Sequence, residues 1–197
     1  MNNKKSATKN QLRIIGGQWR GRKLPFADIE GLRPTPDRVR ETLFNWLQPV
    51  IHGSRCLDLY AGSGALGLEA LSRGAAEVTL LDTQNRITRQ LTENCQHLKC
   101  NQAKIYSQNA LDYLSHSTHQ PVDIVFIDPP YRKNLIEPSC QLLEKNGWLT
   151  AGAMIYIEVE KELAGLPTPT NWELLRSKQA GQVSYHLLQR HANEESA

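Results

Sequence analysis

Between Arg55 and Val159 the chain alternates between short apolar runs of strand length and longer stretches with helical periodicity. Strand-like runs occupy Arg55–Tyr60, Glu77–Asp82, Ala103–Tyr106, Val122–Ile127 and Ala153–Val159, with helical spacing between them at Ala65–Ser72, Asn85–Leu98, Ala110–Leu114 and Leu135–Lys145. Parallel strands need long crossovers, and a helix is the usual one. The alternation therefore predicts an α/β fold, a doubly wound and mostly parallel sheet with helices on both faces. The ending departs from the pattern. Trp172–Ser177 and Val183–Gln189 flank Ala180-Gly181 with no helix between them, which predicts an antiparallel C-terminal hairpin and completes a seven-stranded, Rossmann-like sheet.

Ahead of this body, Met1–Asn10 is a polar tail, and Gln11–Phe26 reads as a small hairpin of basic strands with Trp19 near its tip. Pro36 suits the first turn of a helix that carries Val39, Leu43, Trp46, Leu47 and Val50 at helical spacing. The expected division is an N-terminal extension over residues 1–34 and a catalytic domain over residues 35–197. The whole chain of 197 residues, 40% apolar and 22% charged, falls within the range of ordinary globular proteins and outside that of disordered or fibrous ones. No apolar run approaches the roughly 18 residues a membrane span needs, so a cytoplasmic location and no membrane partner are expected.

The net charge of +3 hides a segregation. Residues 1–40 carry ten Lys/Arg against three acids, a balance of +7, and the rest of the chain, with 13 bases and 17 acids, stands at −4. A basic arm on a mildly acidic body suits a phosphate backbone, because each neutralised phosphate releases condensed counterions. Arg13, Arg20, Arg22, Lys23, Arg33 and Arg132 are the expected nucleic-acid contacts. Cys56, Cys95, Cys100 and Cys140 lack a paired C-x-x-C spacing, and His116 and His119 sit in a polar stretch, so neither a disulfide framework nor a metal site is expected. Cys56, Trp46 and Trp148 read as core residues. For Trp19, base contact and hairpin packing both remain open.

Chemistry enters at Leu57-Asp58-Leu59-Tyr60-Ala61-Gly62-Ser63-Gly64-Ala65-Leu66-Gly67, which leaves a strand and enters a helix through glycines. Its G-x-G-x-x-G spacing, with Asp82 about 20 residues on, fits a dinucleotide site as well as S-adenosylmethionine, since a carboxylate at the second strand suits a ribose diol in either. Asp58 favours the methyl donor, because its charge opposes a diphosphate and suits the ammonium of a methionine moiety. Asp128-Pro129-Pro130-Tyr131 follows the fourth strand at the same edge of the sheet. An exocyclic amine on a base is a weak nucleophile. Asp128 and the Pro129 carbonyl can accept its two N–H bonds, consecutive prolines stiffen the loop, and Tyr131 offers a stacking face. The reaction read from these residues is methyl transfer to a nucleobase amine, with no metal and no covalent enzyme intermediate.

The pattern Arg13-Ile14-Ile15-Gly16-Gly17-x-x-Arg20-Gly21-Arg22, then Arg33-Pro34-Thr35-x-Asp37 through Asn45, then Asp58 to Gly67 and Asp128 to Tyr131, resembles the bacterial 16S ribosomal RNA guanine-N2 methyltransferases of the RsmD family over essentially the whole chain. The resemblance implies methylation of the N2 amine of a guanine in 16S rRNA, within the assembled small subunit, by a monomer. It implies an RNA-binding role for the extension over residues 1–34 and an S-adenosylmethionine-dependent methyltransferase domain over 35–197. It places cofactor contacts at Asp58, Tyr60, Ala61, Gly62, Gly64, Asp82, Thr83, Asn109 and Ala110, and the amine at Asp128, Pro129, Pro130 and Tyr131. Arg38 and Glu41, one turn apart, either approach the methionine end of the cofactor or pair with each other. Position 82 is Asp where many relatives carry Glu, which bears on cofactor affinity. An N6-adenine DNA methyltransferase shares both motifs, but the 60 residues between Gly67 and Asp128 leave no room for a target-recognition insertion. A dinucleotide-dependent oxidoreductase leaves Asp128–Tyr131 and the basic arm unexplained, and a non-enzymatic RNA-binding scaffold does not need an intact glycine loop.

Overall fold

The computed structural model describes residues 10–29, 34–118, 120–161 and 165–192. Arg33 and His119 therefore lie outside the described residues, as does most of the polar tail. Strands β1 (Gln11–Arg13) and β2 (Lys23–Pro25) pair antiparallel, and the connection contains a single 3₁₀ turn at Gly17–Trp19. Helix α1 (Asp37–Leu47) begins one residue after Pro36 and ends before Val50, which is exposed and takes no part in the apolar face.

The body then runs β3 (Arg55–Asp58), α2 (Gly67–Ser72), β4 (Glu77–Asp82), α3 (Asn85–Leu98), β5 (Ala103–Ser107), α4 (Ala110–Leu114), β6 (Val122–Ile127), α5 (Ile136–Lys145), β7 (Leu149–Glu160), β8 (Trp172–Ala180) and β9 (Val183–Arg190). The seven strands of the body form one sheet in the order β5-β4-β3-β6-β7-β9-β8. β5, β4, β3, β6 and β7 run parallel, and β9 and β8 close the edge antiparallel, as the alternation and its break predict. The order reverses between β3–β4 and β3–β6, so the crevice that such a sheet opens to a ligand lies beyond the carboxyl ends of these strands.

Side chains alternate between two apolar layers. Cys56, Leu80, Ile124, Phe126 and Tyr156 face one layer with α1, α2 and α3, whereas Leu57, Leu81, Val125, Ile127 and Ile157 face the other with α4 and α5. Leu12, Ile14, Trp19 and Leu24 of the N-terminal hairpin belong to the first layer, so hairpin and sheet share one core. Trp19 is packed inside it at 8% exposure, which assigns it to packing. Trp46 is only half-buried and stacks on Tyr185 with centroids 5.6 Å apart, while Trp148 is buried and its indole N–H donates to the Leu114 carbonyl. Gly17 has φ +73°, and a Cβ there would sit 1.7 Å from the Ser72 carbonyl oxygen, so only glycine lets the hairpin reach α2 this closely.

Polar groups lock the same contact. Glu69, fully buried on α2, accepts the backbone N–H groups of Ile15 and Gly16 at 2.8 Å each. It also pairs with Arg73 at 2.7 Å and with Arg40 at 3.5 Å. Arg40, 1% exposed, donates to the carbonyls of Thr35 and Arg13 and to Asp37. Among the described residues no helix is long and apolar enough to cross a membrane.

Candidate active site

Three elements bring the predicted cofactor residues to one edge. Asp58 ends β3, is 2% exposed, and accepts the Gly67 N–H at 3.0 Å. Its carboxylate thus anchors the helix end of the glycine loop. Burial pushes its pKa up to about 7, with the N–H groups of Gly67 and Tyr60 holding it down. Ala61 is buried and bonds to the Leu81 carbonyl, and the Gly64 N–H closes the turn onto the Ala61 carbonyl at 2.7 Å. Tyr60 turns away, its hydroxyl 2.8 Å from Ser139 on α5, and so braces the loop from behind.

Asp82, half-buried at the end of β4, accepts from the Gln84 and Gly62 N–H groups at 2.9 and 3.2 Å. Burial raises its pKa as well. Thr83 beside it is exposed. Asn109 is exposed too and caps α4, its side-chain oxygen accepting from Leu111 and Asp112, while Ala110 behind it is buried. The glycine loop, Asp82 and the Asn109 cap therefore follow one another along the carboxyl ends of β3, β4 and β5.

Asp128 follows β6 directly, on the next strand over from Asp58. It is half-buried, and Thr35 donates to its Oδ2 at 3.3 Å from the segment ahead of α1. Burial, then the charges of Glu158 and Asp58, raise its pKa well above the carboxylate range, against the pull of Thr35. Pro129 is buried, Pro130 is exposed, and Tyr131 stands 47% exposed where a planar ligand can stack on it. Arg132 has φ +59° and its backbone N–H is held by Glu160, so the loop turns sharply after Tyr131.

The basic residues divide. Arg20, Arg22, Lys23 and Arg132 are exposed. Arg13 is tied to Asp37 at 2.7 Å and helps to fasten the hairpin to α1. Arg38 and Glu41 are both exposed and form no ion pair with each other. Two features were missed in the sequence: the buried Glu69–Arg40 network, and Glu158 on β7, 4% exposed and taking a 2.8 Å hydrogen bond from the Tyr156 hydroxyl. Each signal was a charged residue inside an otherwise apolar periodic run.

Among the described residues, Asp58, Asp82, Asp128 and Glu158 have no Lys or Arg ion-pair partner. That donor set repels a diphosphate and fits a ligand with a sulfonium and an ammonium, so the residues suit S-adenosylmethionine better than a dinucleotide. Among the described residues no group of three or more His, Cys, Asp or Glu is arranged to hold a metal ion.

Known proteins resemble this chain over most of its length. The family model described as Conserved hypothetical protein 95 matches residues 12–189. The Ribosomal RNA small subunit methyltransferase D of Escherichia coli K12 is 57% identical over 187 residues, 94% of this chain and 93% of the relative. That of Haemophilus influenzae is 54% identical over 184 residues, 92% of this chain and 95% of the relative. The solved structure of the Escherichia coli protein yhhF superposes with a TM-score of 0.85 at 54% identity, covering 93% of this chain and 100% of that one. With the family model spanning nearly the whole fold, the chain belongs to the Conserved hypothetical protein 95 family, that of the small-subunit ribosomal RNA methyltransferases D.

Proposed function

We propose that the protein transfers a methyl group from S-adenosylmethionine to the N2 amine of a guanine in 16S rRNA, acting as a monomer on the assembled small subunit. The observation that carries this reading is the placement of Asp128, half-buried on the strand next to the glycine loop, with Tyr131 exposed beside it. Bound at the glycine loop, the cofactor supplies an electrophilic methyl group on a positively charged sulfur. Asp82 and the Asn109–Ala110 turn lie where they can hold its ribose and adenine, and Asp58 keeps the loop in shape through Gly67. Asp128 and the Pro129 carbonyl orient the two N–H bonds of the amine, which points its lone pair at the methyl, and Tyr131 stacks on the ring.

RNA reaches this edge over the exposed Arg20, Arg22 and Lys23 of the hairpin and Arg132 of the catalytic loop, with Arg33 and Arg13 flanking them in sequence. Names of the close relatives support ribosomal RNA as the substrate class. The test is transfer of labelled methyl to unmethylated small subunits, naked 16S rRNA and duplex DNA side by side, followed by nucleoside analysis. N2-methylguanosine in the subunit is the expected product. Label in DNA adenine, or no transfer despite bound cofactor, overturns the reading.

A further inference from the structure

Glu158 is out of place in its strand. It lies in the run Met154-Ile155-Tyr156-Ile157-Glu158-Val159, where its neighbours are buried and apolar or aromatic, and it is itself 4% exposed. A buried carboxylate without a cation costs several kcal/mol unless its charge is relieved. Among the described residues its one hydrogen bond is from Tyr156, and it has no ion pair. Packing alone gives no reason for a carboxylate here.

The sheet supplies one. β6 and β7 pair parallel with Phe126 opposite Tyr156 and Ile127 opposite Ile157, so the next step along both strands sets Asp128 level with Glu158. The alternation of faces puts both on the Phe126–Tyr156 side, the side that Asp58 shares on β3. Two carboxylates stand level on neighbouring parallel strands, on one face.

We propose that Glu158 is the positioning residue that makes Asp128 a base for the amine, by setting a second carboxylate level with it on the same face of the sheet. This rests on the reading that Asp128 faces the amine. As the amine nitrogen bonds to the methyl carbon, the carbon–sulfur bond breaks with its electron pair going to sulfur, and the nitrogen must shed one proton. An ordinary carboxylate is a poor acceptor for it. Asp128, desolvated and beside a second negative charge, is a better one, and its proton affinity lies closer to working pH. Burial raises the Glu158 pKa in turn, while the Tyr156 hydroxyl lowers it.

Among the described residues, the groups that face the pair are few. Asp58 comes from β3, Tyr131 from the catalytic loop, Tyr156 and Glu160 from β7 itself, and Tyr185 from β9 opposite Glu158. From the α1 side comes the Thr35 hydroxyl. Arg40, the nearest buried cation in that segment, is occupied by Thr35, Arg13, Asp37 and Glu69.

The test is the pH dependence of single-turnover methyl transfer to small subunits between about pH 5 and 9, with ¹³C NMR titration of the side-chain carboxyls in the cofactor-free protein as a second readout. The wild-type acid limb should lie above the usual carboxylate range, and Asp128 and Glu158 should titrate as a coupled pair in the spectra. Glu158→Gln removes the like charge and should move the limb down by roughly one pH unit or more. Tyr156→Phe removes the donor that stabilises the Glu158 anion, so Glu158 takes up its proton at higher pH and the limb should move in the same direction by less. A wild-type limb or an Asp128 titration in the usual range overturns the pairing, whether or not a variant folds. A limb unmoved by both substitutions overturns it too. Full transfer by Asp128→Asn, which keeps an acceptor but no base, would reject the base alone, whereas full transfer by Asp128→Ala would reject the amine-facing role of Asp128, so the two failures are separable.

Discussion

Asp128 meets its surroundings through burial, neighbouring negative charges and one hydroxyl donor, Thr35. Its hydrogen-bond donor lies outside the glycine loop, and its one tie to that loop is the charge of Asp58, felt through space. Asp128→Ala should therefore lower methyl transfer by at least about a thousandfold, the scale of losing an oriented acceptor, while the cofactor Kd changes by less than about threefold. Calorimetric titration with S-adenosylhomocysteine beside the transfer assay checks this, and equal loss of both sinks the assignment. Gly64 is the opposite case, a residue of the loop with no chemistry of its own. Its φ is +79°, and a Cβ would sit 2.6 Å from Leu91 Cδ2 and 2.8 Å from Leu68 Cδ1. Gly64→Ala combines left-handed strain with a clash against two core side chains and should cost about 2–3 kcal/mol. The result should be a lower thermal midpoint and weaker cofactor binding together. A variant with unchanged cofactor affinity would show that the turn is not tied to the site.

At the scale of elements, the hairpin, α1 and α2 are joined by the carboxylate of Glu69, which serves two backbone N–H groups, Arg40 and Arg73 at once. Removing it leaves Arg40, 1% exposed, without its buried partner. Glu69→Ala should destabilise the fold by about 3–5 kcal/mol, and Glu69→Gln, which keeps the shape and one acceptor, by less. Denaturant unfolding measures both, and a loss under about 1 kcal/mol for the Ala variant would show that the network is idle. The parallel sheet was legible from sequence because its strands, covered on both faces, are nearly uninterrupted apolar runs bounded by glycine and polar turns. The glycine loop and Asp128–Tyr131 were legible because backbone geometry and amine chemistry demand particular residue types at particular spacings. Glu69 and Glu158 were not, because a charge in an apolar run has meaning only once its neighbours in space are known. Trp19 is ambiguous in the sequence for the same reason: an aromatic residue in a hairpin reads alike whether it faces RNA or, as here, the core, and the ion pair of Arg13 with Asp37 is equally invisible before the fold is known.

For the whole molecule, the site sets the pH response of the fold. Asp58, Asp82, Asp128 and Glu158 all have carboxyl pKa values raised above the ordinary range, chiefly by burial. Between the unfolded value near 4 and the folded value, which for Asp58 is about 7, the folded state binds more protons than the unfolded one. Stability of the cofactor-free protein therefore falls as pH rises through that window, by an amount on the order of 4 kcal/mol for a shift like that of Asp58. Glu144 is the counterweight: although burial pushes its pKa up, bonds from Arg190, Trp172 and Asn171 hold it below the ordinary value, so its contribution is lost only in more acid solution. His186, whose pKa burial lowers, opposes the trend within the window, as does the Cys100 thiol, brought down to about 6 by its bond with Cys95. A bound sulfonium and ammonium reverse the sign at the site, because a cation favours the ionised carboxylates. Thermal unfolding should thus show the cofactor-free protein more stable near pH 5.5 than near pH 8, and S-adenosylmethionine raising the midpoint more at the higher pH. S-adenosylhomocysteine, which lacks the sulfonium charge, should show a weaker version of that pH dependence. If the midpoint without cofactor does not change across this range, the carboxylates at the strand ends are not protonated as their burial requires, and the pairing of Asp128 with Glu158 fails with them.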